Sequence, residues 1–558
     1  ETAVAPGVRQ LWLFALIQRA LAQAARQQPL LIVMEELQWA DEASRELVAT
    51  VTAQSANLPL LLLITFRPTI PFHFLALHQP TTSHITLANW SAGQARAVVQ
   101  RRLSTGELPP LLEQRLGLRD QYGRESEQVN PLFLEESLKL MLAADVLHFG
   151  NDGRLRVDEN RLAELPIPDT VAALLQTRLD ALSAGAYSLL QVAAVIGYEF
   201  DLTLLTAVIP GMSQPEALDR LNELISADLV QTVVGGTQPV FMFQNSLLQE
   251  VVYRRLPYAR RQTLHFALAE RVATHAPTRA DYPLLAHHYG QAEAHEEGLH
   301  YALAAAEDAT ENYTNRAAAG FYQQAIGHVR ALGMEGRQET AVHILTAQAT
   351  AHLRLGELEE AAKTTAIALD SGVNGSQTTQ PALLNLLAEI GLAQARYPEA
   401  AALAAQVISQ RATIPALAVA HAHQLAGQAA AAHQQWTVAE NHLQMARTLL
   451  KSNGSLRPLP ELLAAFGLVR SQQGTLPRAA ELCQHAVDSA QQFALPIPMC
   501  TALLALAQVR LRQGRAREAV QVTTEGVELA RAVSPRLLAQ LLLVRVEAFL
   551  VDGRSHRP

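Results

Sequence analysis

The chain has 558 residues, enough to bury several separate cores. Apolar residues make up 49%, aromatics 5% and charged residues 17%. This composition excludes a disordered tail and favours long helices over a β-sandwich. The net charge of −8 gives no general affinity for nucleic acid, and two cysteines, Cys483 and Cys500, exclude a disulfide framework and fit a reducing cytoplasm.

Arg9 followed by Leu11–Ile17 faintly has the form of a signal peptide, but Gln18 and Arg19 interrupt it. The pattern continues as an amphipathic helix from about Gly7 to Gln28. No apolar run reaches the ~20 residues of a spanning helix, so no membrane is expected as a partner. Next comes Leu30-Leu-Ile-Val-Met34, an apolar run bounded by Pro29 and the acids Glu35 and Glu36. It predicts a buried parallel strand. Carboxylates at the C-terminal end of such a strand stand where open α/β sheets bind ligands, and an acid pair after a core strand also serves as a helix cap. A second strand, Leu60 to Ile64, leads into Thr65, Arg67 and Pro68.

Three helices are predicted over Ser91–Arg102, Pro109–Leu118 and Pro131–Ala144. Val146–Phe149 and Arg154–Val157 flank a Gly150-Asn-Asp-Gly153 turn and predict a hairpin. A compact helical unit follows from Ile167, with Ser183, Asp201 and Ser213 at N-cap positions. Two strands, Leu229–Val234 and Val240–Phe243, bracket Gly235-Gly236 and complete a winged-helix outline. Arg254, Arg255, Arg260 and Arg261 add positive charge there. His287, His288, His295 and His300 cluster in sequence, but no cysteine or spaced acid completes a zinc pattern, and they read as helix-interface residues. No Ser-His-Asp signature or Gly-x-Ser-x-Gly elbow is present.

The C-terminal half repeats. The pattern is a residue, often Gly, then a large apolar residue two on and Ala five on. Its copies start at Gly356, Ala395, Gln434, Gly474 and Gly514, with a degenerate copy read from Asn312 to Ala317. The alanines fall at 317, 361, 400, 439, 479 and 519. Seven residues before each start stands a small residue: Ala305, Ala349, Ala388, Gly427, Gly467 and Ala507. Small residues in phase let two helices of a hairpin approach closely. Cys483 falls on one of these helices and reads as core. The arrangement resembles the tetratricopeptide repeat, with a period of about 40 rather than ~34. Such hairpins stack into a superhelix whose concave face holds a protein or small-molecule partner.

The N-terminal part resembles a second family. Leu30-Leu-Ile-Val-Met-Glu35-Glu36-Leu-Gln38-Trp39-Ala-Asp41 looks like the Walker B segment of the signal transduction ATPases with numerous domains. The nearer likeness is to the branch linked to bacterial adenylate cyclases, kinases and maltose-regulon-type activators. Gln38 replaces a histidine of the family pattern, and Glu35 and Glu36 stand where Asp is common. By this resemblance Glu35 would hold Mg²⁺, Glu35 and Glu36 would carry hydrolysis, and Thr65 and Arg67 would face the γ-phosphate. Asn130-Pro131-Leu-Phe-Leu-Glu-Glu is similar to the family's lid motif near the adenine, with Val129 in place of its glycine. Asn245 matches a family histidine that reaches the β-phosphate. The cofactors implied are ATP or ADP with Mg²⁺. The implied fold is mainly α: a partial α/β P-loop ATPase core (1–88), a helical lid (89–165), a winged-helix-like domain (166–275), a helical connector (276–310) and an α-α superhelical solenoid (311–558).

No Gly-x-x-x-x-Gly-Lys-[Ser/Thr] loop occurs anywhere in the sequence. Either that loop lies upstream, which the non-Met start favours, or the chain is a degenerate relative. Both readings predict no efficient ATP turnover by the chain alone. The functions implied are a cytoplasmic ATP/ADP signalling switch with a repeat sensor, a non-enzymatic scaffold, or a transcriptional activator whose DNA-binding output domain is absent. Nucleotide-driven self-association is a further expectation. Nucleic acid is expected as a partner only through such an output domain.

Overall fold

The chain is mostly helical, and the computed structural model describes residues 6–40, 42–54, 58–67, 82–120, 122–149, 155–233, 239–371 and 379–555. Asp41, Pro68 and the glycine turns expected near 150–153 and 235–236 lie outside the described residues. Two compact units are present. One comprises 1–82, 278–290 and 295–558; the other comprises 83–277 and 291–294.

The first unit opens with helix α1 (Pro6–Gln27), strand β1 (Leu30–Met34), helix α2 (Glu42–Gln54) and strand β2 (Leu60–Ile64). The strands pair in parallel, Leu30 opposite Leu60 and Met34 opposite Ile64, with α2 in the crossover. The expectation of buried strands is not met: one face of the pair is half-buried and the other is exposed. Leu31, Val33, Leu61 and Leu63 are 58%, 49%, 65% and 49% exposed. The pleat turns alternate residues to opposite faces, and nothing among the described residues covers this one.

The second unit begins with α3 (Ala92–Arg102), α4 (Pro110–Arg115) and α5 (Pro131–Ala143). Ser91 caps α3 in a reciprocal pair with Gln94. The antiparallel hairpin β3 (Leu147–Phe149) and β4 (Leu155–Val157) follows, then α6 (Glu159–Glu164) and α7 (Val171–Asp180). Next come α8 (Ala184–Ile196), β5 (Glu199–Asp201), α9 (Leu202–Val208) and α10 (Gln214–Ser226). The run ends with β6 (Val230–Val233), β7 (Val240–Phe243), α11 (Ser246–Arg255) and α12 (Tyr258–Ala273). Strands β5, β7 and β6 form an antiparallel sheet in that order. Ser183, Asp201 and Ser213 cap α8, α9 and α10 as predicted.

A buried ionic network ties α5 to α7 within this unit. Arg178 on α7 bonds the Glu136 carboxylate, whose side chain is 1% exposed. Lys139 lies 3.2 Å from Glu136 and 2.6 Å from Asp228. Arg178 Nη2 also donates to the Ala227 carbonyl at 2.5 Å. Glu136 survives burial because two cations surround it.

The first unit resumes with α13 (Tyr282–Gln291) and then helical hairpins. They are α14 (His295–Glu311) with α15 (Asn315–Leu332), α16 (Gln338–Leu355) with α17 (Leu358–Asp370), and α18 (Thr379–Ala393) with α19 (Tyr397–Ser409). They continue as α20 (Ala416–Ala432) with α21 (Trp436–Ser452), α22 (Leu459–Gln472) with α23 (Leu476–Gln492), and α24 (Pro496–Arg512) with α25 (Ala516–Val533). Helix α26 (Pro535–Ser555) ends the series.

The repeat pattern has a local physical cause. Its first residue is the left-handed turn residue between the two helices: φ is +85° at Gly356, +60° at Ala395, +60° at Gln434, +83° at Gly474 and +75° at Gly514. The next residue's N–H closes a bond five residues back, as in Arg396 to the Gly391 carbonyl at 2.8 Å and Thr475 to the Arg470 carbonyl at 3.1 Å. This is the bond that satisfies an orphan carbonyl at a helix end. The alanine five on is then fully buried at 361, 400, 439, 479 and 519. The first copy shifts by one from the expected register. The left-handed residue is Tyr313, φ +59°, not Asn312, and the buried alanine is Ala318, not Ala317. Degenerate spelling hid that shift.

Close approach explains the small residues. A Cβ on Gly467 would lie 2.3 Å from Cys483 Sγ and 3.1 Å from the Ala479 carbonyl oxygen. A Cβ on Gly427 would lie 2.9 Å from Leu443. Cys483 is core, as expected, and burial pushes its thiol up to about 12.

Candidate functional site

The ends of β1 and β2 bring four polar residues together. After Met34 the chain turns sharply, because Glu36 adopts a left-handed conformation with φ 55° and ψ 42°. For a residue with a long acidic side chain this conformation is costly and is held by its neighbours. The Glu36 N–H donates to Thr65 Oγ1 at 3.1 Å, and the Leu37 N–H donates to the Thr65 carbonyl at 2.9 Å. Gln38, 6% exposed, donates through Nε2 to the Glu36 carboxylate and accepts from the Arg67 N–H at 3.2 Å. Arg67 Nε stands 3.9 Å from Glu36 Oε2. Glu36, Thr65 and Arg67 are therefore joined, with Gln38 as the buried link. In the sequence Gln38 stands out only as a departure from a family pattern; its burial between two strand ends is not visible there.

Glu35 differs from its neighbour. It is exposed and makes no hydrogen bond or ion pair with another described residue. One carboxylate is thus engaged and one is free.

The other expected site residues belong to the second unit. Asn130 caps α5: its Oδ1 accepts from the Leu132 and Phe133 N–H groups at 2.9 and 3.1 Å, with Pro131 in the first turn. Asn245 caps α11 in the same way, accepting from the Leu248 N–H at 2.8 Å. A cavity of about 610 Å³ adjoins Asn130, lined also by Arg115, Gln128, Phe133 and Asp169.

The arginines near α11 are engaged locally. Arg254 pairs with Glu250 at 2.6 Å, Arg255 pairs with Asp180 at 3.0 Å, and Arg261 lies over the rings of Tyr253 and Tyr258. Helix α10 carries Glu216, Asp219 and Glu223 against Arg220 alone. An acidic helix in this position repels phosphate. Of the four histidines, His295 meets His328 at 3.1 Å between ring nitrogens, and His300 packs on Tyr301. Burial lowers the pKa of His287.

In the hairpin series the first helices form the inner wall. From α16 to α26 each packs on the first helix of the next hairpin. Residues seven apart share a face, and His421 with Gln428, Glu461 with Leu468, and Thr501 with Gln508 repeat along this wall. A cavity of about 320 Å³ opens there between α20, α22 and α24, bounded outside by Trp436 and Leu443 of α21.

No family model matches the sequence. The chain is 25% identical over 316 residues to an uncharacterized protein of Rhizobium meliloti (strain 1021), a match covering 55% of this chain and 29% of that protein. The chain thus matches less than a third of that relative's length. Among solved structures it is similar to a signal transduction ATPase with numerous domains from Pyrococcus horikoshii that carries a tetratricopeptide repeat sensor. The TM-score is 0.38 and the identity 11%, over 96% of this chain and 73% of that chain. It is also similar to a thermophilic tetratricopeptide repeat protein of Thermus thermophilus, with TM-score 0.29 and 19% identity, over 38% and 100% of the two chains. A third likeness is to a Rap protein complexed with competence and sporulation factor, with TM-score 0.35 and 11% identity, over 56% and 93%. The tetratricopeptide-like character of this chain rests on the hairpin register itself. No described helix is long and apolar enough to cross a membrane.

Proposed function

We propose that this chain is the regulatory portion of a nucleotide-controlled switch, in which the helical repeats hold a partner and bias the nucleotide state. The observation that carries the reading is the linked set at the ends of β1 and β2: Glu36, Gln38, Thr65 and Arg67 tied together, with Glu35 free beside them. A parallel strand pair presents ligand-binding groups at this end. In this reading Glu35 takes the metal, and Thr65 and Arg67 meet the terminal phosphate. Mg²⁺, when bound with nucleotide, would neutralise phosphate charge. Asn130 and Asn245 commit their oxygens to helix caps. In this reading the run α8, β5, α9, α10, β6, β7 is a winged-helix-like domain, and the acidic α10 favours an internal clamp over DNA binding.

The repeats supply the other half. Their inner wall carries polar, titratable and apolar residues in register, as a partner-holding surface requires. Coupling then means that the partner and the nucleotide each change the other's affinity by the same factor.

The test is equilibrium binding of ATP and ADP to the full reading frame that contains this sequence, with and without Arg67→Ala. Binding weakened tenfold or more by the substitution supports the switch. No nucleotide binding to the full frame leaves the repeats as a scaffold and removes the switch. The 558-residue chain alone is expected to turn over no ATP.

A further inference from the structure

The inner-wall cavity is small and chemically uneven. At about 320 Å³ it lies at the low end of ligand pockets, so it suits a compact molecule or one anchoring side chain rather than a folded surface. Trp436, Leu468 and Leu504 give it apolar walls, and Gln428 and Gln508 add neutral amides. Glu461, in the first turn of α22, is the one charged residue lining it. Glu461 makes no hydrogen bond or ion pair with any described residue. Other charges act on it only from a distance, Glu389 of α18 repelling and Arg536 of α26 attracting.

We propose that this cavity binds a small amphiphilic primary amine, with the ammonium paired to Glu461 and the apolar body held between Trp436, Leu468 and Leu504. The inference rests on the inner wall being the partner-holding face and names the chemistry of what it holds. An apolar pocket with a single carboxylate discriminates by charge. A carboxylate ligand would meet Glu461, the one charge on the cavity wall, with like sign, while a neutral ligand would leave Glu461 unpaired. Burial supports the same choice, because a partly desolvated carboxylate gains most from an ammonium that brings its own donors. The amine has two sources: a free arylalkylamine, or the amino terminus of a peptide whose first side chain fills the cavity.

The experiment is calorimetric titration of the full chain at about pH 8, above the value of about 7 to which burial pushes the Glu461 carboxyl, with four probes: phenethylamine, phenylalanyl-leucinamide, N-acetylphenethylamine and 3-phenylpropionate. Trp436 fluorescence gives a second readout at the cavity wall. Both amines are expected to bind, and acetylation or replacement by the carboxylate to weaken binding at least about tenfold. The tighter of the two amines identifies the source. Glu461→Gln is expected to remove the preference for the amine over its acetylated form, and Leu504→Trp to block every probe. The probe comparison on the unaltered chain decides the matter even if a variant folds poorly. No binding by either amine overturns the proposal, as does equal binding of the acetylated probe or a preference that survives Glu461→Gln. Nucleotide binding by the full frame is measured separately, so failure here is distinct from failure of the switch.

Discussion

Asn315 Nδ2 donates to the Val533 carbonyl at 3.1 Å, joining residues 218 positions apart. Beside it, Ser534 Oγ donates to the Arg354 carbonyl at 2.9 Å. The start of the hairpin series thus meets its end, and Tyr313 packs against the core of α25 and α26. A stack of hairpins normally contacts only its neighbours. Here the accumulated rotation brings the two ends together, and the inner wall is held to one curvature.

Asn315→Ala removes that tie. Losing a buried amide-to-carbonyl bond is expected to cost about 1–2 kcal/mol. The distinguishing measurement is amide exchange. Protection should fall first along 535–555, in a step separate from global unfolding. Uniform loss of protection across all hairpins would sink the seam as a separate element.

The left-handed turn residues give a prediction of opposite sign. Ala395 and Gln434 hold φ +60° where the equivalent positions 356, 474 and 514 are glycine. A Cβ in that conformation costs roughly 1 kcal/mol. Ala395→Gly and Gln434→Gly should each stabilise the chain by about 0.5–1 kcal/mol in urea denaturation, and the two should add, since they sit in different hairpins. Gly474→Ala should lose a similar amount.

These turns also explain which parts of the fold were legible from sequence. The hairpin register could be read because each hairpin repeats one local requirement: a left-handed residue, then an alanine under the crossing. Where the spelling degenerated, at Asn312 to Ala317, the reading slipped by one, since no glycine marked Tyr313. The strands were legible as apolar runs, but not the exposure of Leu31 and Val33, because a run cannot say what covers each face. Glu36, Thr65 and Arg67 lie together at the strand ends, joined through Gln38, while Glu35 stands apart from them. The position of Gln38 as buried link depends on two strand ends meeting, which no single segment encodes. The Asn315–Val533 tie and the Glu461 cavity depend on how hairpins stack, a property of accumulated rotation rather than of any local motif.

Glu461 gives a pH signature that needs no ligand. Burial, then the Glu389 charge, push its carboxyl up from the ordinary 4.5 to about 7, and Arg536 opposes them only in part. The folded chain therefore holds a proton on Glu461 that the unfolded chain has released between about pH 4.5 and 7. Its contribution to stability is fully present below the ordinary carboxylate range and is lost as pH rises through about 7. Glu461→Gln carries no such titration. Urea denaturation of both chains at about pH 5.5, 6.5 and 8 should show the variant gaining on the wild type as pH rises, with most of the gain complete at the highest of the three. Glu389→Gln should move that transition to lower pH by removing the like charge. Parallel stability curves for the wild type and Glu461→Gln would mean that the carboxylate stays hydrated in the folded chain, and that the cavity wall does not desolvate it.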